Sequence, residues 1–157
     1  MQTNIGIKKE GLGEVSHILS KVLADEFLLY TKTRNAHWNV EGIDFSAKHI
    51  FFESQYEQLD ETMDSVAERI RALGDYAPAT LTQFLKLTHL TEQSRGKNDS
   101  AGFIKELLAD HESIIVYLRE NINRIANEFF DFGTSDFITG LMETHEKMAW
   151  MLRSHLG

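Results

Sequence analysis

Between Phe45 and Leu73 the chain carries Phe45, His49, Phe52, Tyr56, Leu59, Met63, Val66, Ile70 and Leu73, in steps of 4, 3, 4, 3, 4, 3, 4 and 3. A strand repeats every two residues and cannot use this spacing. The pattern lays one stripe along a long α-helix, and such a stripe must be covered by other helices. Gly74 closes the segment and Pro78 comes four residues later, which is the order expected of helix stop signals.

The rest of the chain supplies the partners. Val15, Ile18, Leu19, Val22, Leu23, Leu29 and Tyr30 predict a first helix from about Gly11 to Trp38, and Gly42 breaks the pattern in the loop Asn39–Asp44. Thr80 and Gln83 form a capping box for a short helix to about Leu87. Residues 88–99 read as a polar connection. Asp99 or Ser100 can cap a third long helix to about Asn127, with Phe103, Leu107, Ile114, Leu118 and Ile125 on its inner face. Gly133 and Thr134 separate it from a fourth long helix ending near Leu156. The expected fold is all-α: a four-helix bundle with a short extra helix between helices two and three. That connection spans about 25 residues, longer than ordinary bundle loops, so it can cross the bundle in the ferritin-like arrangement.

The 157 residues suit one domain, with residues 1–10 expected to form a flexible tail. The absence of cysteine excludes disulfides and thiolate metal sites and leaves His and carboxylate ligands, which suit iron, manganese or zinc. A net charge of −8 argues against a broad phosphate-binding surface and fits a protein that handles cations. No run of about 18 apolar residues predicts a membrane span, and residues 1–10 lack the apolar run of a signal peptide, so the expected compartment is the cytoplasm.

The second helix also carries six acids, Glu53, Glu57, Asp60, Glu61, Asp64 and Glu68, with no Lys or Arg among them. Like charges four apart repel by a few tenths of a kcal/mol. A wet acidic face is one reading; a cation site is the other. His49 and Glu53 are four apart, as are Asp64 and Glu68, and the eleven residues from 53 to 64 make nearly three turns. All four therefore point to one side of the helix. His49 and Asp64 are nevertheless roughly 22 Å apart along the axis at 1.5 Å per residue. One helix cannot bring both pairs to one metal, but two antiparallel copies about a two-fold axis can, giving two equivalent sites per dimer. His37, at the end of the first helix, is a candidate second nitrogen ligand. Glu14-Val-Ser-His17 is a single Glu-x-x-His match without the second motif that an intrasubunit site needs, and is expected to be non-functional. His89 and His155 are expected in solvent, and His111 and His145 at the surface or an interface.

Residues 35–74, NAHWNVEGIDFSAKHIFFESQYEQLDETMDSVAERIRALG, resemble the Dps family, the DNA-binding proteins from starved cells or mini-ferritins. The shared pattern is His-Trp-Asn-Val, a Gly two residues on, a second His, then Asp and Glu before Arg-Ile. A weaker likeness lies in residues 131–152, and the length and helix order agree over nearly the whole chain. The resemblance implies a hollow homo-dodecamer in which two iron ions bind at each site between two-fold-related subunits. His37, His49 and Glu53 would come from one subunit, with Asp64 and Glu68 from its neighbour. The family usually has Asp at the position of Glu53, so metal spacing or affinity can differ here. Trp38 matches a family tryptophan near the site that can accept an electron during oxidation; core packing would account for it equally. The implied reaction is ferroxidation, with hydrogen peroxide the oxidant in most of the family, and then ferric storage in the cavity. Asp136 best matches the acids lining the family's three-fold pores, with Glu128 and Asp131 weaker matches.

Two other readings compete. Many relatives bind DNA through a Lys-rich N-terminal tail, which would associate the protein with the nucleoid. Here the tail MQTNIGIKKEGLG holds only Lys8 and Lys9, offset by Glu10, so DNA binding is not the favoured reading, although twelve tails would act together. In the third reading the bundle is purely structural, and His37 and His49 belong to its core.

Overall fold

The computed structural model describes residues 3–92 and 96–157; Gln93, Ser94 and Arg95 of the polar connection, and Met1 and Gln2 of the tail, lie outside the described residues. Among the described residues five helices succeed one another: α1 (Lys9–Asn39), α2 (Phe45–Ala72), α3 (Leu81–Leu87), α4 (Ser100–Glu128) and α5 (Phe132–Arg153). The sequence expectation of four long helices and one short one holds.

Local chemistry sets most of the ends. Gly74 has φ 96°, a left-handed conformation that favours glycine, and its N–H bonds to the Arg71 carbonyl as α2 closes. The Thr80 hydroxyl accepts the Gln83 N–H while the Gln83 side chain accepts the Thr80 N–H, so the expected capping box starts α3. Asp99 caps α4 by accepting the Gly102 N–H at 2.9 Å.

Three boundaries differ from expectation, the simplest being that α5 ends at Arg153 and not near Leu156. Lys9 and Glu10 already belong to α1, which shortens the tail. Gly133 and Thr134 lie inside the first turn of α5, because Asp131 is the cap and accepts the Thr134 N–H at 2.9 Å. A Cβ at Gly133 would lie 3.1 Å from Arg69 Nη2, so a larger residue there would push the guanidinium aside by a few tenths of an ångström. The turn before it is tight. Phe130 takes φ 57°, and the Asp131 N–H reaches back to the Ile125 carbonyl.

Helix α1 packs on α2 and α4 on α5, and the two hairpins meet mainly through α1 against α4. The Glu41 N–H bonds to the Asn98 carbonyl at 2.9 Å, which fixes the start of α4 beside the α1–α2 turn. The chain leaves α2 at the opposite end, so the α2–α4 connection must travel the length of the bundle, and α2 and α4 run parallel. Along the way α3 lies on α1, with Phe27 and Phe84 stacked at 4.4 Å. Asp25 pins the chain just beyond α3 by accepting the Thr88 hydroxyl and the His89 N–H.

The α2 stripe divides on burial. Phe52, Leu59, Val66, Ile70 and Leu73 are closed to solvent, each contributing about 1.5–3 kcal/mol. His49, Tyr56 and Met63 are half-buried and Phe45 is exposed, while Gln55 and Thr62 are buried instead. The core face is thus rotated from the sequence stripe, leaving the row of His49 and Tyr56 at its margin. Among the described residues no helix is long and apolar enough to cross a membrane.

Candidate metal centre

The α1–α2 hairpin turns within five residues, so the last turn of α1 faces the first turns of α2. This brings His37 and His49 together, with ring centroids 3.7 Å apart and planes at 21°. Each ring is anchored by the other's backbone: His37 Nδ1 lies 2.8 Å from the His49 carbonyl, and His49 Nδ1 lies 2.8 Å from the His37 carbonyl. A carbonyl can only accept, so both Nδ1 atoms carry protons. In the neutral imidazoles the lone pair is then on Nε2, the state that binds metal, and the backbone partner fixes each ring's orientation.

Glu53 sits one turn beyond His49, half-buried, and its Oε1 accepts the Tyr56 hydroxyl at 3.1 Å. Tyr56 is gripped on several sides. Its ring meets His37 edge-on at 5.2 Å and Tyr30 at 6.0 Å, and Arg34 Cζ lies 4.4 Å from its centroid. Arg34 also reaches Trp38, at 4.9 Å. Trp38 itself is 63% exposed, so it is not core packing within the protomer.

Asp64 and Glu68 are exposed on the same helix, further along it than either side chain can span. Among the described residues none of the six α2 acids pairs with a Lys or Arg of the same protomer. Nor do any three His, Asp or Glu side chains of one protomer converge to hold a metal ion, again among the described residues. The protomer thus presents two half-sites, a nitrogen-rich one at His37, His49 and Glu53 and a carboxylate one at Asp64 and Glu68.

Residues 16–157 match the ferritin-like domain family. The chain is 35% identical over 143 residues to DNA protection during starvation protein 2 of Bacillus anthracis, covering 91% of this chain and 97% of the relative. The chain belongs to the Dps family of ferritin-like proteins. It is also 43% identical over 153 residues to an uncharacterised low temperature-induced protein of a Nostoc species, covering 98% of this chain and 86% of that one. A Dps protein from Vibrio cholerae, described as a member of a broad superfamily of ferritin-like diiron-carboxylate proteins, superposes with a TM-score of 0.92 at 28% identity, covering 100% of this chain and 98% of that one. The Dps family and this diiron-carboxylate fold carry a general iron-storage and ferroxidase function.

Two other histidines of this Dps chain fall where the sequence reading did not put them. His111 and His145 are not at the surface but fully buried between α4 and α5, with their Nδ1 atoms 2.9 Å apart. His145 Nε2 contacts Glu26 Oε1 at 2.6 Å, and that carboxylate is also closed to solvent. Burial, helped by the neighbouring His145, holds the His111 pKa well below the usual histidine range. The signal for this was present: His111 falls on the α4 seam between Leu107 and Ile114, and His145 between Met142 and Met148 on α5. His89 and His155 are exposed, as expected, although the His89 ring lies 2.9 Å from Asp25 Oδ2 and His155 packs edge-on to Phe51. His17 is exposed, and Glu14 lies 3.5 Å from Arg124.

Of the residues matched to the Dps pore, Asp136 and Glu128 are exposed, with Glu128 near Arg124. Asp131 is 3% exposed and occupied by Thr134 and Arg69. Lys8 is the residue before α1 and Lys9 its first, so the two lysines sit at a helix start. Sequence reasoning missed Tyr56 and Arg34 as neighbours of the half-site; their spacing of three from Glu53 and His37 is its only trace.

Proposed function

We propose that this Dps protein binds ferrous iron at sites shared by two subunits, oxidises it with hydrogen peroxide, and stores the ferric product within a dodecamer. The observation that carries the reading is the His37–His49 pair. Both Nδ1 atoms are tied to carbonyls, so both Nε2 atoms are free for a cation, with Glu53 one turn away. Asp64 and Glu68 are exposed and, among the described residues, without partners, as acids awaiting a neighbour's histidines would be. Large apolar side chains left in solvent at the same end of the bundle, Trp38, Ile43 and Ile50, together with Leu81 and Leu85 on α3, fit an assembly that covers them.

In this reading His37, His49 and Glu53 of one subunit bind iron together with Asp64 and Glu68 of another. The carboxylates favour the higher charge of the ferric product, and the fixed imidazoles hold the geometry. Two ferrous ions each give one electron to one peroxide; its O–O bond breaks and, with two protons, it leaves as two waters. Asp136 and Glu128 are the acids we assign to cation entry, since Asp131 is engaged by Thr134 and Arg69. The test is anaerobic ferrous titration and then peroxide, on protein of measured oligomeric mass. Two irons bound per subunit and rapid oxidation at half an equivalent of peroxide per iron are expected. Oxidation no faster than in buffer would overturn the reading.

A further inference from the structure

We propose that Tyr56 is a positioning residue for Glu53, holding its carboxylate at the His37–His49 pair; this rests on the ferroxidase reading above. Glu53 has three side-chain torsions and is only half-buried, so nothing in its own covalent structure turns its carboxylate toward the histidine side of the helix. The Tyr56 hydroxyl donates to its Oε1 at 3.1 Å, occupying one lone-pair site and leaving the others for a cation. The donor is itself fixed. Arg34 lies over its ring at 4.4 Å, Tyr30 meets it at 6.0 Å and 86°, and His37 meets it at 5.2 Å and 79°. Tyr56 therefore touches a histidine from α1 through its ring and the carboxylate from α2 through its hydroxyl. One side chain thus contacts two proposed ligand groups that belong to different helices. The arrangement matches the longer arm of Glu53: an Asp at this position ends one methylene earlier and falls short of the hydroxyl.

The test is a cycle of variants, Tyr56→Phe, Glu53→Asp and both together, compared with the unaltered shell. Phe keeps the ring and its packing and removes only the donor. Cobalt(II) is the probe, titrated into assembled apoprotein and read by its visible bands, with His37→Ala plus His49→Ala defining the site's share of the signal. Shell mass and thermal melting are measured on each sample. Losing the hydroxyl is expected to weaken cobalt uptake about three- to ten-fold when Glu53 is present, as for a single hydrogen bond. In the Glu53→Asp background the same change is expected to shift uptake less than about two-fold, the non-additivity that marks two groups acting together. Unchanged uptake in Tyr56→Phe overturns the proposal. So does a loss of equal or greater size in the Asp background, because the effect would then run through packing and not through Glu53. An unaltered shell with no histidine-dependent cobalt signal overturns the ferroxidase reading, and this role with it.

Discussion

The molecule contains two pairs of histidines, and they are built in opposite ways. His37 and His49 stack at the open end of the α1–α2 hairpin, each with Nδ1 on a backbone carbonyl and Nε2 uncommitted. His111 and His145 lie in the middle of the bundle, where His145 spends both nitrogens within the protein, one on His111 and one on Glu26. The rings of the first pair stack at 3.7 Å and those of the second lie tilted at 5.1 Å, but ring distance alone does not say what each pair can do. The fate of the second nitrogen does. A ring anchored by one nitrogen on a carbonyl offers the other as a ligand, whereas a ring held at both ends is a strut that satisfies buried polar groups. In the proposed function the first pair is therefore the site, whereas the second is part of the core.

The sharpest way to break this comparison is to remove the strut. His145→Ala leaves Glu26, closed to solvent, without its partner, and strips His111 as well. Leaving a buried polar group without its hydrogen-bond partner costs about 1–3 kcal/mol, more where the group is charged. Urea unfolding should register that loss, while oxidation per intact shell stays at the unaltered rate. A loss below about 1 kcal/mol would show that the interior contact does not hold the bundle. The converse variant, His37→Ala plus His49→Ala, should change stability little and slow peroxide-driven oxidation on the order of 100-fold, since ligands matter at least as much as the groups behind them. Unaltered rates in a shell of normal mass remove both residues from the site.

The parts of the molecule legible in the sequence are those that leave a local signal. The helices and the long crossover were legible because the 4–3 spacing, Gly74 and the Thr80–Gln83 box are local. The candidate site was legible on α2 because residues four apart share a helix face, so His49 with Glu53 and Asp64 with Glu68 pair from spacing alone. The buried pair escapes such a reading although it sits on the α4 and α5 seams. A histidine that precedes a glutamate, as His111 and His145 both do, looks like part of a polar surface, and only the partner helix decides otherwise. Tyr56 escapes as a site neighbour for a related reason. Its place in the α2 stripe marks it as core, and its role depends on which way α2 is rotated against α1, a matter of packing between helices and not of spacing along one.

Complementation sharpens the claim that the open pair needs acids from elsewhere. Shells carrying His37→Ala plus His49→Ala, and shells carrying Asp64→Ala plus Glu68→Ala, should each be defective. Dissociated, mixed and reassembled, about half of their dimers are mixed. Each mixed dimer regains one complete site, and its other site loses every one of these ligands. Activity should therefore recover to roughly a quarter of the unaltered level, a figure set by two-fold symmetry. If the mixture recovers nothing, the ligands come from one chain and the two half-sites are unrelated.

The smallest effect expected is a pH dependence that the buried pair contributes. His111 resists protonation in the folded protein because burial penalises its charged form, and His145 beside it adds to the penalty. The unfolded chain has no such restraint and takes up this proton as pH falls through the ordinary histidine value of about 6.5. Below that value the unfolded state binds more protons than the folded one, so stability falls with acidification; above it this contribution is constant. Other titrating groups add their own slopes, and a difference between variants removes them. His111→Phe keeps a ring in the space and discards the titration. Between pH 7.5 and 5.5 the unaltered protein should lose about 1.4 kcal/mol more than this variant, the equivalent of one pH unit below 6.5. Urea unfolding at the two pH values measures it. If both proteins lose the same amount, His111 is protonated in the folded state, and the interior pair is more open to solvent and protons than its burial implies.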